Sequence, residues 1–382
     1  MIRKIVSALF ILWLFASPAL GSWSFVTLSD TYGGLEWGMA SRTAQLYTHH
    51  DNIAFLVSTG DFENNQTVDE HFKSMLSSYY PGYADIPWFQ TFGNHNTDFL
   101  SDPDDVLSVL TPDRIQTQLP GMSNFQMGPH DASMAYAKEG STYSFDYNGV
   151  HFVMLNQYYA TDTDSDGEHD NGDSTACVYD TWYDWLVQDL ARNEQPIIFV
   201  FGHEPAFPRG SEHCLDSLDD GGRCEGNYLA WNNPARPLRD KFWELLNSYN
   251  VVAHFTGHEH VASARVIKSL ADFPGIHYLG PDEYICDAPS WDCYCINQPK
   301  LPEIENNDTV TPSQGVIEFN NGISRDNGDF HVIEIDGGAI HFHMYKDVSG
   351  TLNLARTFSY DASSLMDSDD IYVDNGLDKA TR

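Results

Sequence analysis

The chain has 382 residues, is 42% hydrophobic and 13% aromatic, and carries 55 Asp and Glu against 20 Lys and Arg. That composition is globular and, with 22 Phe, 20 Tyr and 9 Trp, supplies a core for one large α/β domain or two average ones; collagen, coiled-coil and low-complexity architectures are excluded. A formal charge of -35 argues against long nucleic acid and against docking on an anionic membrane, because both need a basic surface.

At the N-terminus, Arg3 and Lys4 precede an apolar run from Ile5 to Phe15 and then small residues ending at Gly21. The run is shorter than the ~20 apolar residues of a spanning helix, so residues 1–21 read as a secretory signal peptide. The mature chain is expected to begin near Ser22 and to work outside the cytosol, secreted or periplasmic. Strand-like and helix-like runs then alternate: WSFVTLSD, a helix in the 40s, NIAFLVSTGD, a helix in the 70s, and PWFQTFGNH. YSFDYNGVHFVMLN, a helix around TWYDWLVQDLARN, PIIFVFGHEP, a helix around PLRDKFWELLNSYN, and VVAHFTGHEH follow. This alternation predicts an α/β fold, and the stretches Tyr143–Asn156 and Gly328–Tyr345 read as antiparallel strands. The expected architecture is two packed mixed β-sheets flanked by helices, with a catalytic domain over 22–360 and an acidic tail over 361–382.

Six cysteines are present, and an even number in an exported chain favours disulfides. Cys214 and Cys224 bracket a Gly/Asp-rich loop and form the simplest pair. Cys286, Cys293 and Cys295 leave one member to reach elsewhere, for which Cys177 is the candidate. Cys293-x-Cys295 has no second cysteine pair at zinc-knuckle spacing.

The chemistry is concentrated at strand ends. Asp30 closes SFVTLS, Asp61 closes IAFLVSTG, Asn94 and His95 close WFQTFG, His203 closes IIFVFG, and His258 with His260 close VVAHFTG. Loops at the carboxyl ends of strands are where α/β folds place their sites. Five such loops bring carboxylate, amide and imidazole donors to one sheet edge, the ligand types that first-row metals accept. A carboxylate flanked by two nitrogen-rich sets describes a two-metal site.

The ordered set of Asp30, Gly60-Asp61, Gly93-Asn94-His95, Gly202-His203 and Gly257-His258-Glu259-His260 resembles the calcineurin-like metallophosphoesterases, which include the purple acid phosphatases. The resemblance extends to YSFDYNGVHFVMLN, the WYDWLVQDL helix and the closing FHVIEIDGGAIHFHMY hairpin, covering about residues 23 to 360. It implies that Asp30 and His260 bind one metal, that Asn94, His203 and His258 bind a second, and that Asp61 bridges both. It also places His95 beside the substrate phosphate. Two metals ~4 Å apart lower the pKa of a bridging water to give hydroxide for in-line attack, and His95 is then the natural general acid. The implied cofactors are two ions of iron, zinc or manganese.

The chain departs from the family pattern in two places. Where many relatives have Asp-x-His in the first motif, this chain has Asp30-Thr31-Tyr32. Tyr32 either replaces the histidine as a phenolate ligand, favouring ferric iron, or points away and leaves that metal with fewer protein ligands. The tyrosine that purple acid phosphatases carry after the second-motif Asp is absent from Phe62-Glu63-Asn64-Asn65. Asn96 stands where many relatives have an acidic residue, a change that retunes His95 without removing a ligand.

Asp162, Asp164, Asp166 and Gly167 match the start of an EF-hand-type calcium loop, with Asp173 at its twelfth position, but a strand-like stretch precedes it instead of a helix. The loop either chelates calcium or is an acidic surface segment. Sequons lie at Asn65 and Asn307. His49, His50, His130, His254 and His343 show no partner spacing and read as structural or exposed. Arg209, Arg223 and Arg236 follow the GHEP motif and are candidate phosphate clamps, although a surface role is the simpler reading of each.

The leading expectation is therefore a secreted binuclear-metal phosphoesterase acting on a small phosphate ester, a phosphomonoester first. A phosphodiesterase or nucleotide hydrolase on the same site is the alternative. A rival of another class is a non-catalytic calcium-binding surface protein on a decayed phosphoesterase scaffold. Oligomeric state leaves no mark in the sequence.

Overall fold

The computed structural model describes residues 21–31, 38–50, 52–62, 72–79, 86–96, 111–131, 137, 139–158, 180–207, 236–268, 284–287, 292–295, 302–324 and 328–366. Two seven-stranded sheets carry the fold. The first is built around β1 (Trp23–Leu28), with β2 (Ile53–Ser58) and β3 (Trp88–Gln90) parallel to it on one side. On its other side β14 (Phe330–Asp336) pairs antiparallel with β1, followed by β15 (Ala339–Val348), β16 (Thr351–Asp361) and the two-residue β12 (Thr309–Val310). The second sheet runs β4 (Ser123–Met127), β5 (Tyr143–Tyr147), β6 (Val150–Met154), β7 (Ile197–Phe201), β8 (Ala253–Thr256), β13 (Val316–Asn321) and β9 (Ala262–Ile267). From β6 through β13 its pairings are parallel; its outer pairings are antiparallel. The two mixed sheets expected from the sequence are thus present.

The hydrophobic pattern explains the layering. All six residues of β1 are buried, as a central strand covered on both faces requires. Its alternate side chains divide between two cores: Trp23 and Phe25 point between the sheets, whereas Val26 and Leu28 pack under α1 (Ala40–His49). Between the sheets Phe25 stacks on Phe55 at 5.4 Å and meets Phe152 and Phe199 edge-on, each also at 5.4 Å. α1 buries Ala40, Thr43, Ala44, Leu46 and Tyr47, the broad apolar stripe of an amphipathic helix. The outer face of the second sheet is covered by α4 (Asp180–Arg192) and α5 (Arg236–Ser248), through Trp182, Leu186, Phe242 and Leu246. Two shorter helices, α2 (Ser74–Tyr79) and α3 (Pro112–Gln118), lie between α1 and α4 in the chain. Asn148 and Gly149, both at positive φ, close the two-residue turn of the β5–β6 hairpin.

Several histidines without an obvious partner in the sequence have one here. At the hairpin end of β6, His151 lies 2.7 Å from Asp146 and 2.9 Å from Asp189 of α4, and so ties that helix to the sheet. Burial lowers the His151 pKa, but hydrogen bonds to the two carboxylates outweigh it and raise it to about 9. His254 faces Glu318 at 3.3 Å, and His130 faces Glu139 at 3.6 Å. The fold continues past β16 into α6 (Ser363–Met366), where Ala362 is buried and its N–H donates to the Gly338 carbonyl. A ribbon of β10 (Tyr284–Asp287) and β11 (Asp292–Cys295) sets the backbone of Cys286 opposite Cys293, and Cys295 opposite Tyr284.

Candidate metal centre

All five motif loops follow parallel strands and meet at one edge. Asp30 and Asp61 follow β1 and β2, Asn94 opens a 3₁₀ turn after β3, His203 follows β7, and His258 and His260 follow β8. The first three come from one sheet and the last three from the other. Four of the six have left-handed backbones: Asp30 (φ 52°), Asp61 (φ 49°), His258 (φ 69°) and His260 (φ 56°). Such a conformation costs a non-glycine residue about 1–3 kcal/mol and clusters where function needs it. Here it turns each side chain back toward its neighbours. Glycines supply the room. A Cβ on Gly257 would run into Ser29 Oγ and lie 2.6 Å from Asp30 Oδ2, and one on Gly60 would lie 2.5 Å from His203 Nδ1.

The donors face one another. His203 Nδ1 lies 2.7 Å from the Thr59 carbonyl oxygen, and an N–H donated there leaves Nε2 with a lone pair directed into the site. That Nε2 is 3.1 Å from Asn94 Oδ1 and 3.3 Å from Asp61 Oδ2. Asn94 Oδ1 is also 3.1 Å from His258 Nδ1. Asp30 Oδ2 accepts the His258 backbone N–H, while Oδ1 is buried without a hydrogen bond, 3.3 Å from His260 Nε2. Ligating atoms of Asp30, Asp61 and His203, all buried, lie within 4.8 Å of one another. Converging lone pairs repel unless positive charge sits among them, and this mixture of carboxylate, amide and imidazole donors suits first-row metal ions. The residues therefore fit metal binding.

The titration behaviour carries the same demand for cation. Burial pulls the His203 imidazole down, but the Asp61 carboxylate outweighs it and raises the pKa to about 9, so that without a metal a proton on Nε2 supplies the positive charge and a bound ion would replace it. Burial pushes Asp30 up, yet His260 beside it and the charge on His203 hold it below the ordinary carboxylate value. Tyr158 donates to Glu204 Oε1 at 3.0 Å, its ring 6.2 Å from that of His203. Burial and the charges of Glu204 and Asp61 push this phenol well above its usual pKa, so it stays protonated.

Buried amides hold the loops in place. Asn96 Oδ1 accepts the backbone N–H groups of Asp61 and Gly93, both at 2.9 Å, and its Nδ2 donates to the Phe62 carbonyl. The His95 backbone N–H donates to Asp61 Oδ1 at 2.8 Å, which places His95 against the central carboxylate with its side chain half-buried. Gln157 Oε1 accepts the N–H groups of His203 and Glu204, both at 2.7 Å. Asn320 Nδ2 donates to the Gly257 carbonyl, and Asn321 Nδ2 to those of Thr256 and, as an acceptor hydroxyl, Thr59. Gln157, Asn320 and Asn321 had no place in the sequence reading. Their signal was the same one, a polar residue closing an apolar run, in VMLNQ and VIEFNN.

Tyr32, the acidic-loop residues Asp162, Asp164, Asp166 and Asp173, and Cys177, Cys214 and Cys224 lie outside the described residues, as do Asn65, Arg209 and Arg223. No helix among the described residues is long and apolar enough to cross a membrane.

A two-sheet sandwich with metal donors at five strand ends defines a metal-dependent phosphoesterase class. The family model of the calcineurin-like phosphoesterases matches residues 24–262, and the chain belongs to that family. Purple acid phosphatase 22 of Arabidopsis thaliana is 27% identical over 245 residues, 63% of this chain and 45% of that protein. Purple acid phosphatase 15 of the same plant is 28% identical over 142 residues, 36% of this chain and 20% of that protein. The matches thus span less than half of these relatives. The structure of a purple acid phosphatase from yellow lupin (Lupinus luteus) seeds aligns with a TM-score of 0.51 at 15% identity, over 91% of this chain and 55% of that one, and so shares the fold.

Proposed function

We propose that this chain is an exported phosphatase that hydrolyses small phosphomonoesters at a binuclear metal centre. Asp30 and His260 would hold one ion, Asn94, His203 and His258 the other, and Asp61 would bridge them; iron, zinc and manganese suit these donors. When bound, the ions supply Lewis-acid polarisation of phosphoryl oxygens and a nucleophile active at neutral pH. The chain's own residues do the rest. Thr59 and Gln157 fix the orientation of His203, Asn96 fixes the turn that carries Asn94 and His95, and Asp61 accepts from the His95 backbone. His95 is thereby placed to deliver a proton to the leaving-group oxygen as general acid.

The single observation behind this reading is the meeting of three candidate ligand atoms, His203 Nε2, Asn94 Oδ1 and Asp61 Oδ2, with 3.1 Å and 3.3 Å between the imidazole nitrogen and the two oxygens. The surplus of carboxylates favours a small ester over a long polyanion. The test compares initial rates on an aryl phosphate monoester and a bis-aryl diester, after chelation and repletion with iron, zinc or manganese. Metal-dependent turnover with monoester preference is expected, and Asp61→Asn should abolish it in protein that remains folded. Diester preference would reassign the activity to a phosphodiesterase. Absence of turnover with every metal would refute the enzyme reading.

A further inference from the structure

A second group of metal-capable side chains lies at the other end of the first sheet. His50, Glu334 and His343 have ligating atoms that all lie within 4.8 Å of one another, and all three are half-buried. They come from three elements: His50 caps the C-terminus of α1, Glu334 lies on β14 and His343 on β15. β14 pairs Glu334 with Ser24, six residues before Asp30 in the chain. At the rise of a strand that is about 20 Å from the metal centre described above.

Three features of this group go beyond proximity. His343 Nε2 is buried without a hydrogen bond and faces Glu334 Oε2 at 3.5 Å. That separation is close to the edge of a tetrahedron with metal–ligand bonds of about 2.1 Å. His343 Nδ1 lies 3.4 Å from Thr357 Oγ1, which can take its N–H and leave Nε2 as the lone-pair nitrogen. Such outer partners orient imidazoles at metal sites. Finally, the group sits at the C-terminal end of a ten-residue helix, where the backbone carbonyls and the helix dipole favour a cation.

We propose that His50, Glu334 and His343 form a separate mononuclear site that takes one late first-row divalent ion, zinc above all. Two imidazoles and one carboxylate with a position open to water are a zinc-type donor set, and calcium or magnesium would ask for more oxygens. The ion would clamp the end of α1 to β14 and β15, so its effect is on stability and not on turnover.

The test uses the whole chain with its catalytic metals loaded. Protein is dialysed against micromolar zinc, bound metal is counted per chain, and the melting temperature is read with and without zinc. The parent should hold one more zinc than His50→Gln or His343→Gln, and its zinc-induced rise in melting temperature should be absent in both. Turnover should stay within about twofold. Glu334→Gln, which keeps the size of the side chain, guards against a folding artefact and should lose the ion as well. Equal metal counts and equal thermal responses in the parent and these variants would overturn the proposal.

Discussion

Gly93→Ala tests the packing of the candidate metal centre with a single methyl group. An alanine Cβ at this position would run into Asp61 Oδ1 and lie 2.5 Å from the Asp61 backbone nitrogen and 2.7 Å from its Cγ. Ordinary contact begins at 3.4 Å, so the two backbones must part by about 0.9 Å and the Asp61 carboxylate must move further still. They cannot part freely. Asn96 bonds the backbone N–H groups of both Asp61 and Gly93, and Asp61 Oδ1 also accepts from His95. Overpacking of this kind costs about 1–3 kcal/mol of stability. Misplacement of a reacting group by about 1 Å costs on the order of 100-fold in rate. The expected outcome is therefore a folded protein with a lower urea midpoint and a kcat reduced by roughly two orders of magnitude. Initial rates on an aryl phosphate at saturating metal, alongside a metal count per chain, check this. A variant that retains full metal occupancy and turns over within about twofold of the parent would refute the claim that Asp61 is held rigidly between these loops.

Gln157→Leu should leave the N–H groups of His203 and Glu204 buried without an acceptor, at about 1–3 kcal/mol each, and weaken metal binding by about 10- to 100-fold, as read by competition with a chelator. His151 gives a pH-dependent contribution. Its folded-state pKa is raised to about 9 from 6.5, so its stabilisation is fully present below about pH 6.5 and is lost as pH rises through about 9, a swing of roughly 3 kcal/mol. Urea midpoints from pH 6 to 10 should show that fall in the parent, and His151→Gln should flatten it; an unchanged slope would mean that another group carries the effect.

The residues that meet at the candidate metal centre were legible in the sequence because each closes an apolar run, and parallel strands deliver their carboxyl ends to one edge. The α/β class and the long helices were legible for the same reason of period: TWYDWLVQDLAR and PLRDKFWELLNS alternate faces as helices do, and α4 and α5 occupy them. The order of strands was not. β1 takes β14 as a neighbour, pairing Trp23 with Ile335, and nothing local to either segment announces the other. Gln157 and Asn321 read as ordinary turn residues until their carbonyl and N–H partners are seen, because an amide's role depends wholly on what it faces. His50 and His343 were passed over for the same reason: their meeting is made by the register of β15 against β14 and by the length of α1, neither of which a spacing rule records.

The pairing of β1 with β14 also bears on the order in which the fold can be made. β1 is among the first described segments to leave the ribosome, yet one of its two edges stays open until residues 330–336 have been made, and the β15–β16 hairpin that extends that side comes later still. A largely apolar strand with an open edge is an invitation to pair with the wrong chain. Until then β2 is its sheet partner among the described strands, and although α1 and the second sheet can cover its two faces, nothing described before residue 330 takes its open edge. Nascent chains halted before residue 330 should therefore be bound by chaperones and cut readily by proteases, and resistance should arrive in one late step instead of accumulating with length.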